Sequence, residues 1–318
     1  MLNELGHIET CLGSFASQTW PLELLDVMVI DGGSDDGSRD VVDSYASVNP
    51  WVRIVENPVG SAACAFNLGM TEARGEVVCL FSAHGVADPD YVRASVEALH
   101  RSGASGVGGG YRHEGTDAVS AAIGIAMISP VGMASPHRYA SEPCDVDTIS
   151  HPAYWRDAML SVGRFDEALE RNSDYEFNHR MREGGHRLRF DPSIGSVYRP
   201  RPGLRALARQ FWHYGRWKAR VMEQHPSSVR PRHLVPPLAV LGLATAPFLL
   251  IARPLRPIVA LVLAAYGAVV GVGVGLARPR AHGASVRHLA AAFPVMHLAW
   301  GAGVVTAVLR RLFKGSRT

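Results

Sequence analysis

Four places in the sequence gather side chains whose types and spacing suit chemistry. In LLDVMVIDGGSDDGS an apolar run, Leu24–Ile30, ends in Asp31 and an acidic, glycine-rich turn. A carboxylate directly after a buried strand can accept a hydrogen bond from a base N–H, and glycine lets a ligand come close to the backbone. The competing reading of the turn is a solvated loop, since Gly, Ser and Asp are ordinary turn residues. In GEVVCLFSAHG a second apolar run ends in Ser82-Ala83-His84, and His84 taken alone reads as a structural histidine. The third place is SDYEFNHRMREGG, where Asp174 suits a general base and Glu176 with Arg180, four residues apart, reads as a surface salt bridge. The fourth is RQFWHYGRWKARV, which interleaves Phe211, Trp212, Tyr214 and Trp217 with Arg209, Arg216, Lys218 and Arg220. That mixture suits an interfacial amphipathic helix or a site for a sugar and a diphosphate, whose oxygens arginine pairs bidentately.

Strands and helices must alternate to position these groups. After Leu24–Ile30 comes a helical pattern over Arg39–Ser47, then WVRIVENP as a strand, SAACAFNLGMTEA as a helix and GEVVCLFSAHG as a third strand. Such alternation predicts an α/β domain with a largely parallel sheet. Ligands of such sheets bind beyond the carboxyl ends of the strands, so Asp31 and the 82–84 turn should face one crevice. GVGGGYRHEG lacks the spacing of a phosphate cradle and reads as strand-to-loop glycine. Gly184-Gly185 closes the helix that carries Asp174.

The back of the chain has a different character. Leu234–Ala252, Pro257–Ala277 and Leu289–Leu309 contain no Asp, Glu, Lys or Arg, and each is about the 20 residues that cross a bilayer as a helix. Arg253 and Arg256 separate the first two stretches, Arg278, Arg280 and Arg287 the second two, and Arg310, Arg311, Lys314 and Arg317 follow the last. Residues 1–199 carry 15 basic and 28 acidic side chains, whereas residues 200–318 carry 17 basic ones and a single acid, Glu223. An acidic front half excludes a nucleic-acid binder; a basic, apolar back half suits anionic membrane lipids. If the front half is cytoplasmic, three spans leave the basic tail on the far side, against the positive-inside tendency. Either one stretch is re-entrant or interfacial, or the tendency is broken. Spans without internal charge beside a full α/β domain argue against a transporter. Cys11, Cys64, Cys79 and Cys144 form no CxxC pair, so neither a zinc site nor a disulfide framework is indicated, and Cys79 reads as a small buried residue. The opening MLNELGHIETCLGSF is acidic and lacks the apolar core of a signal peptide.

Together these segments resemble glycosyltransferase family 2, and within it the membrane-attached, succinoglycan-type exopolysaccharide enzymes. The resemblance runs from Asn3-Glu4 to about His233. NELGHIETCLGSFASQ is similar to the family's opening, VIDGGSDDGS to its strand-end acidic turn, NPVGSAACAFNLGMTEARGE to its Gly…Asn…Gly segment, SDYEFNHRMREGG to its base-bearing segment and QFWHYGRW to its Q..RW motif. The resemblance implies a GT-A fold, a Rossmann-like nucleotide-sugar-binding domain over residues 1–233, followed by a membrane region over 234–318 with about three apolar helices. It implies donor-binding roles for Asn3, Glu4, Asp31, Gly33, Asp36, Asn67, Ser82, His84, Gln210, Arg216 and Trp217, with Asp31 on the base, and makes Asp174 the catalytic base of an inverting transfer. Ser82-Ala83-His84 then stands where the family has a metal-binding DxD, so His84 would hold a divalent cation, Mn²⁺ or Mg²⁺. A neutral imidazole can ligate Mn²⁺, whereas Mg²⁺ prefers oxygen, and Ser82 brings no charge. The expected donor is a nucleotide sugar, UDP-linked by preference, and the acceptor a lipid-linked glycan or polysaccharide. The expected setting is a multi-pass membrane protein with a cytoplasmic catalytic domain. The family also has a strand before its Asn-Glu pair that these 318 residues lack. Either the start lies upstream, or the chain is an impaired, membrane-anchored remnant that binds nucleotide sugar without turning it over.

Overall fold

A computed structural model describes residues 1–133, 140–200, 202–278 and 284–315. Of the basic positions named above, Arg280 and Arg317 lie outside the described residues, as does the side chain of Lys314. Two compact units divide the chain: Met1–Arg112 with Tyr139–Tyr198, and His113–Arg138 with Arg199–Thr318. The second unit thus combines an inserted segment, His113–Arg138, with the chain from Arg199 onward.

In chain order the first unit contains α1 (Ile8–Ala16), β1 (Val27–Asp31), α2 (Ser38–Val48), β2 (Val52–Glu56), α3 (Ala62–Glu72), β3 (Val77–Cys79), β4 (Gly85–Ala87), α4 (Tyr91–Ser102) and β5 (Gly106–His113). Helix α5 (Ala118–Met127) belongs to the second unit, after which come β6 (Cys144–Asp145), β7 (Ala153–Trp155), α6 (Arg156–Val162), α7 (Ser173–Glu183) and β8 (Leu188–Tyr198). Strands β1 and β2 pair in parallel, Val27 opposite Val52 through Asp31 opposite Glu56. On the other edge of β1 the Met1 amine donates to Ile30 O at 2.6 Å, and Gly32 N–H donates to Met1 O at 2.8 Å. The larger sheet runs β3-β7-β5-β8-β4, with β6 also on β8.

The sheet is mixed, not largely parallel as expected. The pairs β3–β7, β5–β7, β4–β8 and β6–β8 are antiparallel, because β7 and β8 return between β3, β5 and β4, all earlier in the chain. The glycines of β5 serve this packing. A Cβ at Gly109 would stand 1.5 Å from Ile194 O, and one at Gly106 would stand 2.5 Å from the Tyr154 ring. Leu12, Val29, Val42 and Val52 form an apolar cluster around β1, and Tyr154, Met159, Phe177, Met181 and Leu188 form another under α7.

The second unit is helical: α5, α8 (Leu204–Gln224), α9 (Pro231–Leu249), α10 (Arg256–Ala277) and α11 (Val286–Gly315). Helix α8 packs along α11, which places it here rather than with the α/β unit. Glycine allows the close crossing: a Cβ at Gly215 would lie 2.0 Å from Trp300 O, and one at Gly303 would lie 2.2 Å from Trp212 O. Glu223, the lone acid of the back half, pairs with Arg311. Among the described residues three helices are long and apolar enough to cross a membrane, within Pro231–Leu249, Arg253–Ala277 and Val286–Phe313. Large apolar side chains of α9 and α10 face outward, among them Phe248 at 72% and Leu261 at 70% exposure, an extent that marks an interaction or membrane surface.

Candidate functional site

The end of β1 is a dense polar turn. Asp31 is 2% exposed; its Oδ1 accepts from Ser34 Oγ at 2.6 Å and its Oδ2 from Ser34 N at 3.2 Å. Gly33 is exposed with φ +89°, and Gly37, which precedes α2, has φ +91°. These left-handed positions cost glycine little and bend the backbone back on itself. Asp36 accepts from Ser38 N and Oγ at 3.0 and 2.5 Å through Oδ1, and from Leu5 N at 3.1 Å through Oδ2. The Ser38 hydroxyl and then the backbone donors hold its carboxyl below the usual carboxylate range.

Residues 3–5 lace this turn to the next strand end. Asn3, itself at φ +56°, donates Nδ2 to Asp35 Oδ1 at 2.9 Å and accepts from Asp35 N at 3.0 Å. Glu4 donates its N–H to Ser38 Oγ at 2.8 Å, while its Oε1 lies 3.1 Å from His84 Nδ1. The 82–84 turn is held in turn by Ser82 O, which accepts from Gly85 N at 2.9 Å. Tyr198, opposite Gly85 in the β4–β8 pair, sets its ring edge-on to His84 at 5.8 Å. The Asp31 turn and His84 are thus joined through residues 3–5 by hydrogen bonds within the protein.

Asp174 lies exposed in the first turn of α7, where the positive end of the helix dipole favours a carboxylate. A buried network supports that turn: Tyr154 OH donates to Asn178 Oδ1 at 2.6 Å, and Asn178 Nδ2 donates to Thr148 Oγ1 at 2.9 Å. Burial first, and then the Asp174 charge, push the Tyr154 hydroxyl well above its ordinary value, which puts Asp174 within electrostatic reach of β7. Strand β7 neighbours β3, whose end leads into Ser82-Ala83-His84.

Asn67 is 1% exposed. Its Nδ2 donates to Phe165 O at 3.1 Å and Glu167 Oε1 at 2.8 Å, and its Oδ1 accepts from Phe165 N at 2.8 Å, so the amide ties α3 to the loop before α7. Glu176–Arg180 is not a surface bridge, since the Glu176 side chain is 4% exposed. Arg180 grips it bidentately at 2.6 and 2.9 Å and also donates to Val162 O and Arg164 O at 2.9 and 2.8 Å. In the second unit, Gln210 Nε2 donates to Tyr214 OH at 3.0 Å, the Arg216 guanidinium stacks 4.7 Å from the Trp212 ring, and Trp217 is half-buried on the same helix. Burial pushes the Cys79 thiol up to about 12 and Cys11 likewise, which makes both inert as nucleophiles. Sequence reasoning missed Ser34, Asp35 and Ser38 as the frame of the β1 turn, and Tyr198 beside His84; only the Ser-Asp turn composition signals the former.

The family model described as glycosyl transferase family 2 matches residues 1–152. The succinoglycan biosynthesis protein ExoA of Rhizobium meliloti is 30% identical over 305 residues, 95% of this chain and 91% of that protein. A Methanococcus voltae enzyme named as a dolichyl N-acetyl-α-D-glucosaminyl phosphate 3-β-D-2,3-diacetamido-2,3-dideoxy-β-D-glucuronosyltransferase is 27% identical over 67% of this chain and 69% of its own. Among solved structures, a Pyrobaculum calidifontis mannosyltransferase in complex with GDP-Man and Mn²⁺ superposes with a TM-score of 0.62 at 20% identity, covering 98% of this chain and 86% of that one.

Proposed function

Because the chain belongs to glycosyltransferase family 2, we propose that it catalyses an inverting transfer from a nucleoside-diphosphate sugar to a lipid-linked or polysaccharide acceptor. The observation that carries this reading is the lacing of the Asp31 turn and His84 through residues 3–5, beside the sheet that supports Asp174. Asp31 and the exposed Gly33 backbone receive the base, taken as uracil. The acceptor hydroxyl oxygen attacks the anomeric carbon while the bond from that carbon to the diphosphate oxygen breaks. The hydroxyl proton passes to the Asp174 carboxylate, and the nucleoside diphosphate leaves with the electron pair.

A divalent cation fits the site only in part. Among the described residues no three His, Cys, Asp or Glu side chains cluster to hold one, so His84 would be a single nitrogen ligand and the donor phosphates would complete the shell. Such a cation would supply charge neutralisation on the departing diphosphate. Ser82 adds no carboxylate there, and that specific feature favours the second reading, a binding protein without turnover.

The outward apolar faces of α9 and α10 support a multi-pass membrane setting. The catalytic unit lies on the cytoplasmic side, where nucleotide sugars are made. The names of the rhizobial and archaeal relatives, one for succinoglycan synthesis and one for a dolichyl-phosphate-linked sugar, support the acceptor class. The test is Asp174→Asn in the full chain, with turnover and donor Kd measured on one preparation. Transfer is expected to fall by about 100-fold or more with donor affinity unchanged. Transfer within a few-fold of the parent overturns the base assignment; donor binding without transfer in the parent establishes the second reading.

A further inference from the structure

Glu4 and His84 stand 80 positions apart, yet Glu4 Oε1 approaches His84 Nδ1 to 3.1 Å. A carboxylate has no proton to give. The contact is a hydrogen bond only when Nδ1 carries the proton, which leaves the lone pair of the neutral ring on Nε2. We infer that Glu4 is a positioning residue: it selects the Nδ1–H tautomer of His84 and makes Nε2 the nitrogen that meets the donor's cation and diphosphate. This rests on the donor site proposed above and assigns one residue's work within it.

The geometry supports a fixed rather than an incidental contact. The Glu4 backbone is pinned at both ends: its N–H donates to Ser38 Oγ at 2.8 Å, and its carbonyl accepts from His7 N and Ile8 N at 2.8 and 2.9 Å as α1 begins. Ser38 is itself held by Asp36, so the carboxylate springs from the same frame that shapes the β1 turn. The Tyr198 ring also meets the imidazole edge-on, with centroids 5.8 Å apart and an interplanar angle of 67°. The pair is half-buried, with side-chain exposures of 34% for His84 and 21% for Glu4. It is shielded enough for the bond to matter and open enough for Nε2 to meet a ligand. A carboxylate behind a ligating histidine fixes the ring and raises the basicity of the ligating nitrogen. Where Ser82 supplies no negative charge, Glu4 supplies one through the ring.

The experiment uses the full chain in detergent with ¹⁵N-labelled histidine, of which there are 14. The His84 resonances are assigned by their loss in His84→Ala. The tautomer is read from the ring ¹⁵N shifts without ligand. Mn²⁺ affinity is read by calorimetry with whichever of UDP or GDP the parent binds, and near-UV circular dichroism checks the fold. The parent is expected to show Nδ1–H. Glu4→Ala is expected to shift His84 to Nε2–H and to weaken Mn²⁺ binding by about 10- to 100-fold. Glu4→Gln, whose amide oxygen still accepts, should fall between. An Nε2–H ring in the parent, or an unchanged tautomer in Glu4→Ala, overturns the inference. So does a tautomer shift with Mn²⁺ affinity unmoved in both Glu4→Ala and His84→Ala. The Asp174→Asn result stands apart from all three, so failure here does not decide the transfer reaction.

Discussion

Asn67→Ala separates a residue that binds the donor from one that holds the fold. The side chain makes three hydrogen bonds, two of them to the backbone of Phe165, which is 2% exposed. Alanine leaves a buried N–H and a buried carbonyl without their partner, and each such loss costs about 1–3 kcal/mol. With partial relaxation the expected destabilisation is about 3 kcal/mol, or roughly 6–12 °C of Tm at about 2–4 °C per kcal/mol for a unit of this size. The assay is a fluorescence melt of the full chain with nucleotide affinity measured below the transition, where affinity should match the parent. Asn67→Asp should be worse than alanine, because it sets a carboxylate against Phe165 O and Glu167. A third readout is Glu167 itself. The Asn67 hydrogen bond is the first cause holding its carboxyl below the usual range, so its pKa should rise in Asn67→Ala. A Tm within about 2 °C of the parent, less than about 1 kcal/mol, together with a lost nucleotide affinity would refute this reasoning and return Asn67 to the donor site.

Two further outcomes follow from the same geometry. Gly303→Ala would drive a Cβ to 2.2 Å from Trp212 O and 3.0 Å from Arg216 N, whereas Gly271→Ala in α10 meets nothing within 4 Å. The first should destabilise by about 1–3 kcal/mol or more and the second should be neutral or better, as read by thermal aggregation in detergent. Asp36 titrates below its ordinary value when folded, so its contribution is fully present above the unfolded pKa of about 4 and is lost as pH falls through the folded value. Acid melts of the parent and Asp36→Asn should therefore diverge above pH of about 4 and converge below it; curves parallel throughout would remove Asp36 from the account.

What was legible in the sequence had local causes. Strand β1, helix α2, strand β2 and helix α3 follow from hydrophobic periodicity with glycine-rich turns between them, and their bounds fall within a few residues of the expectation. The three apolar helices follow from length and absent charge. The strand directions were not legible. Strands β3, β4, β6 and β7 are two or three residues long, too short for a periodic signal, and partners far along the chain set their pairing. Helix α5 escaped because its ten largely apolar residues, Ala118–Met127, fall short of a span. Yet α5 packs on α11, and Val131 O beyond it lies 2.7 Å from His297 Nε2. Burial decided the Glu176–Arg180 pair, and i,i+4 spacing cannot distinguish a solvated bridge from one that clamps a loop.

The motif residues divide by what their polar atoms are already doing. Asn3, Asp36 and Asn67 have spent their side chains on Asp35, on Ser38 with Leu5, and on Phe165 with Glu167. Replacing them should act through stability and through the placement of the β1 turn. The groups left for a ligand are fewer. Each Asp31 oxygen accepts one bond from Ser34 and keeps a second lone pair, Gly33 offers an exposed backbone, and His84 offers the nitrogen that Glu4 does not hold. In the donor site proposed above, selectivity would come from preorganisation, because bonds already made within the protein need not be formed when a ligand arrives. The opening residues Asn3, Glu4 and Leu5 are therefore the frame on which two strand ends become one surface, and a substitution there should move the site before it removes a contact from it.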